Sequence, residues 1–372
     1  MKWCQRCVLP DTRPNLSIGA DGVCSACGAF EQRDAINWQK RQAEFEALVD
    51  SVRCLKRDYD CLVPVSGGKD STWQVVKCLE FGLRPLTVSW RPPARTEIGK
   101  RNLDNLIRLG VDHIDFSIKP SVEAAFMRSA FERAGSAGIP MHFAIFAIPL
   151  NIAVKFKIPL IVWGENSAIE YGGGLGDRNL TRLNDEWLSR YGVTQGTRIA
   201  EWYDSNLTEQ ELRPYTRPEA DVLENREVQA VFLGHYFQWD PHTSLTVATA
   251  HGFRSREEGP KTGYYAFADI DDDFISVHHW LKWHKFGFTR LFDNLSLEIR
   301  HGRISREAAL EIIREEGVKP PKSDISAFCK FTGLSLEAFE VICDKYRNMD
   351  IWRRVNGIWL LKDFLISDWN WE

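Results

Sequence analysis

Two groups of residues in this chain have types and spacings that can do chemistry. The first is the run Ser66, Gly67, Gly68, Lys69, Asp70 and Ser71. Adjacent glycines let a phosphate approach the backbone closely. Two hydroxyls can donate hydrogen bonds, Lys69 brings a positive charge, and Asp70 brings a carboxylate suited to Mg2+. The run follows a short apolar stretch, residues 61–65, that reads as a buried strand. It precedes residues 72–81, which read as a helix ending at Gly82. Strand, glycine turn and helix N-terminus make an anion site, because free N–H groups and the positive end of the helix dipole face the ligand. The spacing is not that of the Walker loop, which needs four residues between its glycines. The second group is Cys4-x-x-Cys7 with Cys24-x-x-Cys27. Paired CxxC units of this kind aim four sulfurs at one tetrahedral zinc ion and leave no open position for a catalytic water. The turn-rich segment between them is too short for a core, so metal would supply its folding energy.

The elements needed to position the first group can be read along the chain. Strands are expected at 61–65, 84–90, 113–118, 159–163 and 230–235, and helices at 72–81, 98–109, 121–133 and 141–156. Strands alternating with helices imply βαβ units and a parallel sheet. Ligands in such sheets sit at the carboxyl ends of the strands. That selects the loops 66–71, 89–96 and 164–177. They contribute Ser89 as a nucleotide contact, Arg91 and Arg95 as phosphate or ribose contacts, and Glu165, Asn166 and Tyr171 beside a glycine-rich stretch. Glu165 is placed for metal or nucleophile chemistry, or is an acid in an exposed turn. Arg91 and Arg95 could equally belong to a solvated loop. Helical patterns at 305–316, 323–332 and 336–347 point to a helical C-terminal region.

The chain has 372 residues, a formal charge of −4 and 26 glycines, ordinary globular values that exclude disorder and fibrous repeats. The length implies about two to three domains. The acidic balance argues against nucleic acid as a partner. The most apolar stretch, 143–154, is interrupted by Pro149 and Asn151 and is too short to span a membrane. A cytoplasmic protein with reduced thiols is therefore expected.

The motif of residues 66–71 resembles the SGGxDS signature of the PP-loop ATP pyrophosphatases, which cleave ATP between the α and β phosphates. With the opening cysteine pairs and a late block, HHWLKWHKFGF at 278–288 and IRHGRISREA at 299–308, the chain resembles the N-acetyl sugar amidotransferases of bacterial surface-polysaccharide and flagellin-glycan synthesis. The 278–284 stretch carries more Trp and His than that pattern. The resemblance implies an α/β fold of the adenine nucleotide alpha hydrolase-like type: a zinc knuckle at 1–30, a PP-loop domain at 31–255, and a mainly helical region at 256–372 for substrate or partner. It implies catalysis by Lys69, Asp70 and Glu165, with ATP, Mg2+ on Asp70 and zinc on Cys4, Cys7, Cys24 and Cys27. An N-acetyl group of a nucleotide-linked sugar, a UDP-diacetamido uronic acid, would become an acetamidino group. The thiol elbow of a glutaminase is absent and residue 2 is Lys, so ammonia would come from a separate glutaminase subunit. Lys282, Lys285, Arg300 and His301, with His278, would help form the sugar pocket, or would lie on an amphipathic helix that merely packs.

Two rivals stand beside this reading. One is a tRNA thiolase of the same superfamily. No cysteine lies between Cys78 and Cys329, which disfavours sulfur transfer. The other is a non-catalytic adaptor holding zinc and ATP.

Overall fold

The computed structural model describes residues 1–164, 166, 183–225 and 227–371. Five short strands, β1 (Cys61–Pro64), β2 (Pro85–Trp90), β3 (Asp112–Phe116), β4 (Leu160–Trp163) and β5 (Gln229–Phe232), form one parallel sheet in the order β3-β2-β1-β4-β5. The chain winds outward from β1 to β3 and then returns to lay β4 against the other side of β1. Strand order therefore reverses between β1 and β4, which opens a crevice at their carboxyl ends.

The central strands are apolar on both faces because helices cover both. On one face Leu62, Leu86 and Ile161 meet the helices Pro120–Ala134 and Ile139–Phe156. On the other, Cys61, Val63, Leu160 and Val162 meet Val75 and Cys78 of the helix Lys69–Glu80, and Phe45, Val49 and Val52 of the helix Trp38–Arg53. Cys61 and Cys78 are fully buried there.

Differences from the expected elements have local causes. Residues 233–235 are not strand but part of a one-turn helix, Leu233–Tyr236. β4 ends at Trp163, so beyond Phe232 the chain has no ladder partner and bonds to itself, Phe237 N–H to the Leu233 carbonyl at 3.0 Å. The stretch expected to be too short for a membrane span lies within an 18-residue helix, Ile139–Phe156, long and apolar enough to cross one. Pro149 and Asn151 do not break it: the Asn151 amide donates to the Ala147 carbonyl at 2.9 Å and the Thr216 carbonyl at 2.8 Å. Most of this helix is buried against the sheet, as a core helix is.

Glu123 sits in that core, 3% exposed, accepting one bond from Trp90 Nε1 at 2.7 Å. Burial raises its carboxyl to about 7. A carboxyl raised in the folded state costs stability as pH climbs from its unfolded value near 4.5 through about 7, and the loss is complete above. Glu123→Gln is therefore expected to be more stable than wild type at pH 8, by about 2 kcal/mol, and not at pH 4. Denaturant melts at the two pH values check this.

The C-terminal region contains the helices Phe274–Phe286, Arg290–Arg300, Arg306–Glu316, Lys322–Thr332 and Leu336–Lys345. Ser305 caps the third, accepting from Ala308 N–H at 3.1 Å. The region also holds an antiparallel hairpin, β6 (Trp352–Val355) and β7 (Ile358–Leu361), turning at Asn356 and Gly357, both with positive φ. An Asn-Gly pair between apolar runs favours this turn. Trp283, Trp352, Trp369 and Trp371 pack on one another and on Phe364, mostly edge to face, with Trp283 and Trp371 stacked. The late tryptophans thus pack together. The N-terminal cysteine segment joins this region: Thr12 Oγ1 donates to the Phe286 carbonyl at 2.6 Å, and the cysteines pack beside Phe288, Leu291 and Phe292.

Candidate functional site

The phosphate loop leaves β1 at the crevice and enters the helix Lys69–Glu80. Internal bonds hold it open. Gly68 N–H donates to Ser66 Oγ and Gly67 N–H to Ser71 Oγ, each at 3.2 Å, while Ser71 and Thr72 hydroxyls donate to the Gly68 carbonyl at 3.0 Å. Gly67 has φ +89, and a Cβ there would lie 2.6 Å from Leu103 N of the helix Glu97–Ile107. Gly67→Ala is thus expected to cost about 2–3 kcal/mol through backbone strain and a clash with main chain, and to abolish ATP binding. Calorimetry of melting and of nucleotide binding would detect both.

Lys69 is 5% exposed and pairs with Asp70; its ammonium lies over the rings of Trp239 and Phe267, at 5.7 and 5.8 Å. Trp239 Nε1 donates to Asp70 Oδ1 at 2.9 Å. The loop faces a late segment that sequence reasoning had not placed in the site. Thr96 N–H donates to the Asp271 carbonyl at 3.1 Å and Asp273 N–H to the Ala94 carbonyl at 3.0 Å, and Ser66 and Asp271 line the same cavity. Burial raises Asp271, with repulsion from Asp269 adding to it, and burial raises Asp272 to about 7. Asp269 adopts φ +56, unusual for a non-glycine residue, and is held by Arg290 Nε at 2.8 Å. The acidic run 269–273 was the signal available for these residues.

One cavity lies at this loop and a second lies beside it. The first, about 490 Å3, is lined by Ser66, Asp70 and Ser71, by Trp163 and Gly164 at the end of β4, and by Asp269 and Asp271. The second, about 620 Å3, shares Met141, His142, Tyr191 and Asp269 with the first and extends to Lys282, Lys285 and Arg13. A small recess of about 160 Å3 reaches from Lys69 toward Tyr265 and Asn294.

The other expected residues are distributed as follows. Ser89, Arg91 and Arg95 converge on Asp115 of β3, at 2.8, 2.5 and 2.8 Å. Burial pushes that carboxyl up, but Arg95 and Arg91 hold it well below its usual range. Of the three, Arg95 lines the loop cavity. Asn166 is fully buried and accepts from Trp187 Nε1 at 3.0 Å. Glu165 and Tyr171 lie outside the described residues. Lys282 and Lys285 line the second cavity. Arg300 and His301 do not join them. Arg300 is buried near Cys7, and His301 meets Asp240 at 3.1 Å and the Phe30 ring edge-on.

Cys4, Cys7, Cys24 and Cys27 are brought together: all four are buried, and their sulfurs lie within 4.8 Å of one another. Cys7 and Cys24 sulfurs are 3.7 Å apart, close to the spacing of about 3.8 Å that a tetrahedral zinc with 2.3 Å bonds imposes. Cys7 and Cys24 N–H groups donate to Cys4 Sγ at 3.4 and 3.2 Å, the outer support a thiolate ligand takes. The donor set fits a closed structural zinc. Cys54 is exposed at the C-terminal end of the helix Trp38–Arg53, and no cysteine lines these cavities among the described residues.

Known proteins give three further observations. Residues 258–365 match the family model of the LPS biosynthesis protein WbpG-like, C-terminal domain. No curated protein matches the sequence. The solved structure of NMN synthetase from Francisella tularensis aligns over 51% of this chain and 92% of its own, at 15% identity and a TM-score of 0.29. The matched segment 258–365 contains the residues that wall the phosphate loop, Asp269 to Asp273, and the helix carrying Lys282 and Lys285. What these comparisons show is therefore that one segment of this chain, residues 258–365, is similar to the C-terminal domain of the WbpG-like LPS biosynthesis proteins.

Proposed function

We propose that this chain is the synthetase subunit of an ATP-dependent amidotransferase that converts an N-acetyl group of a nucleotide-linked sugar, a UDP-diacetamido uronic acid, into an acetamidino group. The observation that carries the reading is the junction just described: a phosphate loop at the sheet's switch point, walled by a segment of an LPS biosynthesis family. ATP would lie with its phosphates on the loop N–H groups and Lys69. The acceptor's amide oxygen attacks the α-phosphorus, pyrophosphate leaves, and an O-adenylyl imidate forms. Ammonia adds to the imidate carbon and AMP departs with the former amide oxygen. An amide is a poor electrophile with a poor leaving group, and adenylation removes both obstacles.

The protein's own share is positional and electrostatic. Lys69, buried and held by Asp70 and two aromatic rings, faces the departing pyrophosphate with little reorganisation. Asp70, fixed by Trp239, and the loop hydroxyls are the groups that would hold Mg2+, which when bound neutralises phosphate charge. That no described cysteine lines these cavities supports nitrogen over sulfur as the transferred atom. Ammonia would come from a separate glutaminase subunit. The reading is tested by mass spectrometry of UDP-sugars incubated with the protein, ATP and an ammonium salt. Replacement of oxygen by NH in the acceptor, with matching AMP and pyrophosphate, is the expected result. Pyrophosphate release that needs tRNA and a sulfur donor would overturn it.

A further inference from the structure

The second cavity is charged in a way the phosphate loop does not explain. Of the cations on its wall, Arg290 is matched by Asp269 and Arg190 by Glu186. Arg13 Nε and Lys282 Nζ both reach one carboxylate, Asp293, each at 2.9 Å. Burial pushes that carboxyl up, but Lys282, Arg13 and Arg290 hold it well below its usual range, so it stays ionised. Lys285 Nζ meets no carboxylate among the described residues. It donates to the carbonyls of Ala134 and Gly135, at 3.1 and 3.5 Å, at the end of the helix Pro120–Ala134. Burial lowers its ammonium to about 8, and the helix C-terminus steadies the charge without neutralising it, so Lys285 is a cation at neutral pH. Arg13, Lys282 and Lys285 thus set three positive charges against one negative. Beside them His279 is 7% exposed, lines the cavity, and has no partner for Nδ1 among the described residues. Burial keeps its ring neutral, so it can exchange a hydrogen bond but brings no charge.

We infer that this cavity seats the diphosphate of the nucleotide-linked acceptor, with Lys285, Lys282 and Arg13 facing the phosphates and His279 Nδ1 bonding a sugar hydroxyl. The inference rests on the reading that the acceptor is a nucleotide sugar, and assigns where its charge is held. A diphosphate diester carries two negative charges, which matches the excess of two positive ones. The volume of about 620 Å3 is within the range of small-ligand sites. The cavity adjoins the one at the phosphate loop, with Met141 and His142 lining both. A sugar extending from the diphosphate would therefore bring its amide toward Ser66–Ser71. Arg13 belongs to the N-terminal cysteine segment, so that segment supplies a wall of the acceptor site as well as a fold element.

The test is calorimetric titration of the full chain with UDP, with uridine and with a non-hydrolysable ATP analogue. UDP is expected to bind at least about tenfold more tightly than uridine, without displacing the ATP analogue. Lys285→Met is expected to weaken UDP about tenfold and leave the ATP analogue unchanged, with Lys285→Arg recovering part of the loss. Arg13→Gln, on a different element, should weaken UDP in the same direction and serves if Lys285→Met does not fold. Equal binding of UDP and uridine, competition between UDP and the ATP analogue, or UDP affinity unchanged in both variants would each overturn the assignment. If UDP binds as expected but no acetamidino product forms from any UDP-sugar, the cavity assignment stands and the proposed reaction fails.

Discussion

Replacing Asp70 by asparagine is expected to lower acceptor-dependent pyrophosphate release about a thousandfold while leaving the fold and the metal content of the four-cysteine cluster unchanged. Asparagine keeps an oxygen to accept from Trp239 Nε1, so the local bond at 2.9 Å survives. What is lost is the charge. Asp70 is the carboxylate of the phosphate loop itself, paired with Lys69 and facing two cavities. Without it Lys69 loses the anion that orients it, and the phosphates lose the group suited to hold Mg2+. Pyrophosphate release, melting temperature and metal content together check this. Activity within tenfold of wild type would mean that the loop does not act on ATP as proposed.

Removing zinc, by a strong chelator or by Cys7→Ala, is expected to lower the melting temperature by roughly 10 °C and to expose residues 1–30 to proteolysis. The four cysteines are buried and share one cluster with Phe288, Leu291, Phe292 and Ile313. Four thiolates this close repel one another without a cation, and the segment has too few apolar residues to hold its shape alone. Its loss would uncover the aromatic face of the helix Arg290–Arg300 and release Thr12 from Phe286 and Arg13 from Asp293. Melting and proteolysis identical with and without the metal would show that packing alone holds the segment.

The phosphate loop and the cysteine pairs were legible in the sequence because each is a contiguous or narrowly spaced motif whose geometry is local. Strand, turn and helix around Ser66–Ser71 follow one another without a break, and two CxxC units need only a turn each to converge. The order of strands and helices was legible for the same reason, through apolar runs and helix signals. The hairpin at Asn356-Gly357 carried its own signal and was passed over. The helix Trp38–Arg53 shows a weak apolar stripe, only three buried residues, and was not anticipated.

Arg91, Arg95 and Ser89 show where local reasoning stops. They follow a strand as expected, but a carboxylate on the next strand, Asp115, gathers all three. Arg300 and His301 share a helix end that points to the knuckle rather than to Lys282 and Lys285. Sequence spacing could not separate these cases, because the deciding partner lies far away in the chain.

The sequence by itself determined the chemistry available to this protein: a phosphate cradle with a lysine and an aspartate, a four-sulfur metal set, and the order of elements in a parallel sheet. These depend on neighbours along the chain. Only the tertiary structure decided which distant residues share the cradle. The acidic run at 269–273 is folded over the loop by backbone bonds to residues 94 and 96, and Arg13, Lys282 and Lys285 come together in a cavity beside it. Those contacts come from packing one helix region against the sheet and both chain ends against each other, and burial of apolar surface there has no signature in local spacing.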